Sequence, residues 1–241
     1  MSASSATRRV ESVLGQLSPA TPRDFTIVQP LRTSPTASTK KSVVVTVTGA
    51  AGNIAYSLLW MVGQGKLLGD DQPIELRLLD IPAMEKQVQG VLMELADSAF
   101  PIVTKLVGTS DYKTAFDNVE VALLVGAKPR GPGMQRKDLL SANGQIFAGQ
   151  GKALNQYANR NVKVCVVGNP ANTNALIAAE NAPDLPKSAF TAMTRLDENR
   201  AKAQIAGRIN VPVSQIKNVI IWGQHALTLH RHGTLTWQCQ L

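Results

Sequence analysis

The sequence predicts an α/β protein with a doubly wound parallel sheet, and three observations carry that prediction. From Ser42 onward, β-branched apolar runs alternate with helical patterns and Gly or Pro punctuation, the rhythm of βαβ units. The runs are near-continuous in Val, Ile and Leu, as strands covered on both faces require. A glycine-rich turn, Gly49-Ala-Ala-Gly52-Asn-Ile-Ala55, leads straight from the first run into a helical pattern.

Taken in order, residues 42–48 read as a buried strand, 54–62 as a helix, 74–79 as a strand and 84–96 as a helix. Strands follow at 119–125 and 162–167, separated by a helix from about 136 to 158. Beyond Asn172 come a helix to about 179, a strand at 189–194, a helix at 196–207 and a strand at 218–222. Right-handed crossovers connect such strands into a Rossmann-type sheet. The chain divides into a leader (1–41), a dinucleotide-binding domain (42–194), the start of an α+β substrate domain (195–225) and an atypical tail (226–241). There is no internal repeat.

Composition narrows the function classes. No run approaches the roughly 18 consecutive apolar residues of a bilayer span, and two cysteines do not make a disulfide scaffold. Of the net charge of +8, half sits in the leader, where Arg8, Arg9, Arg23, Arg32, Lys40 and Lys41 face only Glu11 and Asp24. The rest is spread without a basic stripe or interleaved aromatics, so no nucleic-acid partner is expected. Val10, Val13, Leu14 and Leu17 recur at helical spacing beside Arg8 and Arg9, the composition of an organelle transit peptide. Arg9-Val10 followed by Gln16-Leu17 also resembles an N-terminal peroxisomal nonapeptide. The expected address is therefore a mitochondrion or peroxisome, with a disordered tail or the cytoplasm as the alternative.

The chemistry begins at the glycine turn. Gly49 suits the tight turn, Gly52 lets the backbone approach a pyrophosphate at the helix N-terminus, and Ala55 is small enough for close helix–strand packing. A glycine pair alone often has only a structural role. Leu78-Leu79-Asp80 strengthens the reading, because a carboxylate at the second strand end accepts ribose hydroxyls and repels a 2′-phosphate, favouring NAD. Further on, Gly126-Ala-Lys-Pro-Arg130-Gly-Pro-Gly-Met-Gln-Arg136 forms a cationic loop able to fold over an anion. Gly168-Asn169-Pro170-Ala171-Asn172 caps a strand where such sheets bind ligands. Asp197 and Arg200 share a helix face, and Trp222-Gly223-Gln224-His225 supplies an imidazole that a carboxylate could orient as a general base. His225, His230 and His232 lie near Cys239 with no recognisable zinc spacing, so no metal is expected.

The segments VTGAAGNIAYSLL, ELRLLDI, GAKPRGPGMQRKDLL, VVGNPANTNAL, TRLDENRAKAQIA and NVIIWGQH closely resemble malate dehydrogenase of the cytosolic type and its chloroplast NADP-linked relatives, from about Lys41 to His225. The resemblance implies hydride transfer between malate or oxaloacetate and NAD. It implies that Arg130 grips the distal carboxylate, Arg136 polarises the C2 carbonyl, Arg200 pairs with the C1 carboxylate and Asn169 bonds the reacting oxygen. His225 would accept the proton, oriented by Asp197. Cofactor contacts would come from Gly49, Gly52, Asn53, Ile54, Asp80, Asn143, Gly168 and Asn169. Asp80 stands where the chloroplast relatives lack an acid, which again favours NAD. The family also implies a homodimer. Past His225 the match stops and the family continues, so a C-terminally truncated member is expected. An inactive NAD-binding fragment pairing with full-length subunits is the rival reading.

Overall fold

Near-continuous apolar runs become strands because their side chains find cover on both faces, and the structure follows them closely. The computed structural model describes residues 24–28, 40–129, 131, 133 and 135–221. They belong to two compact units, one of residues up to 126 with 153–163, the other of 127–152 with 164 onward.

The first unit contains β1 (Asp24–Val28), β2 (Val43–Thr48), α1 (Asn53–Gly63), β3 (Ile74–Leu79), α2 (Glu85–Asp97), β4 (Val103–Thr109), α3 (Tyr112–Phe116) and β5 (Val121–Leu124). Its strands lie in the order β1-β4-β3-β2-β5. All pairs are parallel except β1 with β4. The chain thus winds outward from β2 through β3 to β4, then returns to the other side of β2. That reversal is the switch point of a doubly wound sheet. Val45, Val47, Leu76, Leu78, Leu106 and Leu124 are fully buried, with Leu59 and Leu92 of the helices against them. Arg77 lies buried within the β3 run, where its guanidinium is held by three acceptors: Nε donates to Glu75, and Nη1 to the carbonyls of Thr114 and Asp117.

The second unit contains most of α4 (Arg136–Tyr157), then β6 (Lys163–Val166), α5 (Ala171–Glu180), β7 (Phe190–Ala192) and α6 (Arg195–Ile209). β6 and β7 pair in parallel. A Cβ on Gly151 would fall 2.4 Å from the Ala178 carbonyl oxygen, so this glycine is what lets α4 and α5 approach closely. After α6, Ile216 and Val219 close a small cluster on Ala201 and Ala206.

Two expectations need correction. The leader, expected to be a targeting helix or a disordered tail, also supplies a strand: Asp24–Val28 pairs along the whole of its length with β4, from Asp24 opposite Thr109 to Val28 opposite Lys105. An unpaired β4 edge offers backbone hydrogen bonds that no local pattern in the leader announces. The strand expected at 218–222 is irregular over 218–221, where Asn218 has φ 56° and breaks the extended course. β4 and α3 carry no expectation, since Lys105 and Gly108 interrupt the apolar run. The helix around Val10–Leu17, the tail and all three histidines lie outside the described residues. No described helix is long and apolar enough to cross a membrane, and no group of three metal-ligating side chains occurs among the described residues.

Candidate functional site

In the first unit the site is made of backbone. β2 ends in buried Thr48, and Gly49 turns the chain at φ 66°. A Cβ on Gly49 would lie 2.4 Å from the Cα of Gly126, so the ends of β2 and β5 meet with no room for a side chain. The Gly126 N–H donates to the Thr48 hydroxyl at 3.2 Å, tying the two strand ends together. The turn closes with the Gly52 N–H on the Gly49 carbonyl at 2.9 Å. Gly52 is the N-cap of α1 and offers no side-chain cap, while Asn53 and Ile54 stand exposed in the first turn. Their outward backbone is what an anion needs at a helix N-terminus, where N–H groups lack intrahelical partners and the dipole is positive.

Asp80 follows β3, half-buried beside this turn. Its Oδ2 accepts the Ala51 N–H at 2.9 Å and its Oδ1 accepts the Ile81 N–H at 2.8 Å. One carboxylate therefore braces the glycine turn and its own loop, with lone pairs left on each oxygen for hydroxyl donors. A pyrophosphate on Gly52, Asn53 and Ile54, with ribose hydroxyls on Asp80, fits this arrangement.

In the second unit the site is made of side chains. Asn143 on α4 is fully buried, and its amide is committed to backbone. Oδ1 accepts the Lys128 N–H at 2.7 Å, and Nδ2 donates to the carbonyls of Asn169 at 3.0 Å and Lys128 at 3.3 Å. It fastens the start of the cationic loop to the turn after β6. Asn174, also buried, donates to the Gly168 carbonyl at 2.9 Å. The 168–170 turn, with its cis Asn169–Pro170 bond, is thus held from two sides while the Asn169 side chain stays exposed.

Asp197 sits in the first turn of α6 with its side chain only 2% exposed, and Arg200 Nη1 lies 3.9 Å from its Oδ1. Arg200 is half-exposed, so its guanidinium faces both the buried carboxylate and solvent. Nearby, Glu198 bridges Lys202 and Arg195, and its carboxyl is held below the usual range chiefly by the Lys202 hydrogen bond.

The structure places Gly49, Gly52, Asn53, Ile54 and Asp80 in one unit, and the Asn143–Asn169 contact and the Asp197–Arg200 pair in the other, with Gly168 beside Asn169. Arg130 and His225 lie outside the described residues, and for Arg136 only its place at the start of α4 is described. Sequence reasoning missed Thr48, Gly126 and Asn174 as bracing groups. A glycine directly after β5 was the one available signal, since a second glycine is needed wherever two backbones touch.

Residues 43–191 match the model of the lactate/malate dehydrogenase NAD-binding domain, and residues 194–233 that of the family's α/β C-terminal domain. The chain belongs to the lactate/malate dehydrogenase family. Its cofactor is NAD, in agreement with Asp80. Among solved structures it is similar to malate dehydrogenase from Naegleria fowleri, at 47% identity and TM-score 0.75, covering 77% of this chain. It is also similar to Trichomonas vaginalis lactate dehydrogenase, apo and in complex with NADH and oxamate, at 41% identity each and TM-scores of 0.74 and 0.73, covering 77% and 76% of this chain. The chain spans 57% of the first of these proteins and 55% of the other two. Relatives with two different substrates thus share the oxidoreductase fold.

Proposed function

We propose that this dehydrogenase interconverts malate and oxaloacetate. The observation that carries the reading is the buried Asp197 with Arg200 one turn away on α6. An ionised carboxylate is costly to bury, and a cation on the same helix face compensates it while still reaching solvent. Such a pair offers one group to orient an imidazole and another to hold a substrate carboxylate. The identity to the Naegleria malate dehydrogenase, above that to the lactate dehydrogenases, favours the same substrate.

In this reading Gly49, Gly52, Asn53, Ile54 and Asp80 hold NAD, whose nicotinamide supplies the hydride acceptor. Arg200 holds the C1 carboxylate of malate and Arg130 the distal one. Arg136 polarises the C2 oxygen, and Asn169 donates a hydrogen bond to it. His225 takes the hydroxyl proton while Asp197 fixes its tautomer and stabilises the imidazolium. Asn143 positions the loop that carries Arg130, and closure of that loop excludes water.

The test is NADH-dependent reduction of oxaloacetate and of pyruvate, followed at 340 nm beside a His225→Ala control. Arg130→Gln is expected to lower kcat/KM for oxaloacetate about thirtyfold or more, because stranding one partner of a desolvated charge pair costs about 2–5 kcal/mol. Pyruvate, with no second carboxylate, should lose little. Equal losses for both substrates would overturn the assignment.

A further inference from the structure

β1 lies outside residues 43–191, which match the family's NAD-binding domain, yet it begins beside the recess that Asp80 lines. Its side chains alternate: Phe25 and Ile27 are half-buried on the side of α2, while Thr26 and Val28 face solvent, Val28 at 65% exposure. Phe25 pairs with Gly108 and, from that position, lines a recess together with Asp80, Ile81, Glu85, Gln89 and Thr109. Gly108 has no side chain to fill this space, and a Cβ there would strike Leu92 at 2.5 Å. The wall beside Asp80 is therefore built from the leader.

The backbone makes a second connection. β1 pairs up to Thr109, and the Thr109 carbonyl accepts the Asp80 N–H at 3.2 Å. The Thr109 hydroxyl accepts the Asp111 N–H at 3.0 Å, fixing the same strand end. Asp80 is thus held from one side by the glycine turn and from the other by the β4 end that β1 covers. Without β1, Thr109 would end an edge strand, where fraying is easiest.

We infer that Phe25 is a positioning residue for the adenosine end of NAD, acting through Asp80 and the Asp80–Ile81 turn. The inference rests on the NAD-binding reading of this unit. It assigns to the leader a role in cofactor affinity that is separate from any address it carries. Asp80 and Glu85 both line this recess, and two acidic residues there disfavour a ribose bearing a 2′-phosphate.

The experiment is calorimetric titration of the full chain with ADP-ribose, which carries the adenosine half and no nicotinamide. Phe25→Ala is expected to weaken ADP-ribose about tenfold, a size usual for coupling between residues that share a contact. Phe25→Leu should restore most of the affinity. Ile27→Ala, on the same face of β1 but outside the recess, should lower Tm comparably and leave ADP-ribose within about twofold. In an Asp80→Asn background, Phe25→Ala should cost almost nothing further. Equal weakening by Phe25→Ala and Ile27→Ala, or an undiminished effect without the Asp80 carboxylate, would reduce β1 to a structural strand and overturn the proposal. Failure of the unaltered chain to bind ADP-ribose would overturn the cofactor reading and this inference with it.

Discussion

The two units prepare their ligand groups from different material. In the first, the contacts that matter are backbone on backbone: Gly49 against Gly126, and the N–H groups of the glycine turn and of α1. In the second they run through side-chain amides and charges: Asn143 across Lys128 and Asn169, and Asp197 beside Arg200. A backbone site tolerates no added atom, whereas a side-chain site tolerates changes of size but not loss of a donor or acceptor. In the proposed reading the difference suits the ligands, since a pyrophosphate is read by clustered N–H groups and a carboxylate by a directed cation.

The sharpest way to break this contrast is Gly49→Ala. The new methyl would meet Gly126 at 2.4 Å on a residue already at φ 66°. Overpacking costs about 1–3 kcal/mol and the left-handed backbone about 1–2 more. Chemical denaturation should show that loss, and NADH fluorescence titration should show no saturable binding. Retained NADH affinity would mean that the turn is not the pyrophosphate site.

Asn143→Leu should have the next largest effect, and of a different kind. It removes the hydrogen-bond partner of the Lys128 N–H and of the Asn169 carbonyl, both part-buried, at about 0.5–1.5 kcal/mol for each bond lost. NADH affinity should change little while kcat for oxaloacetate falls. A parallel loss of NADH binding would make Asn143 part of the cofactor site itself, as the resemblance implies.

The smallest effect belongs to a cap with no part in either ligand. Asp111 accepts the Thr114 N–H at 2.9 Å at the start of α3, and that backbone bond is the main cause holding its carboxyl below the usual aspartate range. Asp111→Ala should cost about 0.5–1 kcal/mol at neutral pH. Because the folded-state pKa is the lower one, the carboxylate's contribution is complete above the unfolded value and is lost as pH falls through the folded value. Asp111→Asn should keep the cap and flatten that acid limb, which thermal melts between neutral and strongly acidic pH will read.

Much of this was legible in the sequence because it is local. The 74–79 strand and the helices near 54–62 and 84–96 fall within a residue or two of their expected bounds, since their periodicity is contained in their own residues. Asp80 is legible as a candidate for the same reason: a strand end and a carboxylate are adjacent in the chain. The expected strand at 218–222 failed where an apolar run met a left-handed Asn218 and found cover in a helical cluster instead of a ladder.

Most of the element order, the glycine turn and the place of Asp80 at a strand end follow from the amino-acid pattern alone, because each depends on neighbours within a few residues. Tertiary structure decided what lies opposite what: Gly126 facing Gly49, the Asn143 amide reaching Asn169 26 residues along the chain, and Phe25 brought to the recess of Asp80 by an antiparallel pairing with β4. These depend on backbone hydrogen bonds and close approaches between distant segments. Any extended segment of suitable register satisfies such bonds, so they leave no periodic trace in the chain that makes them.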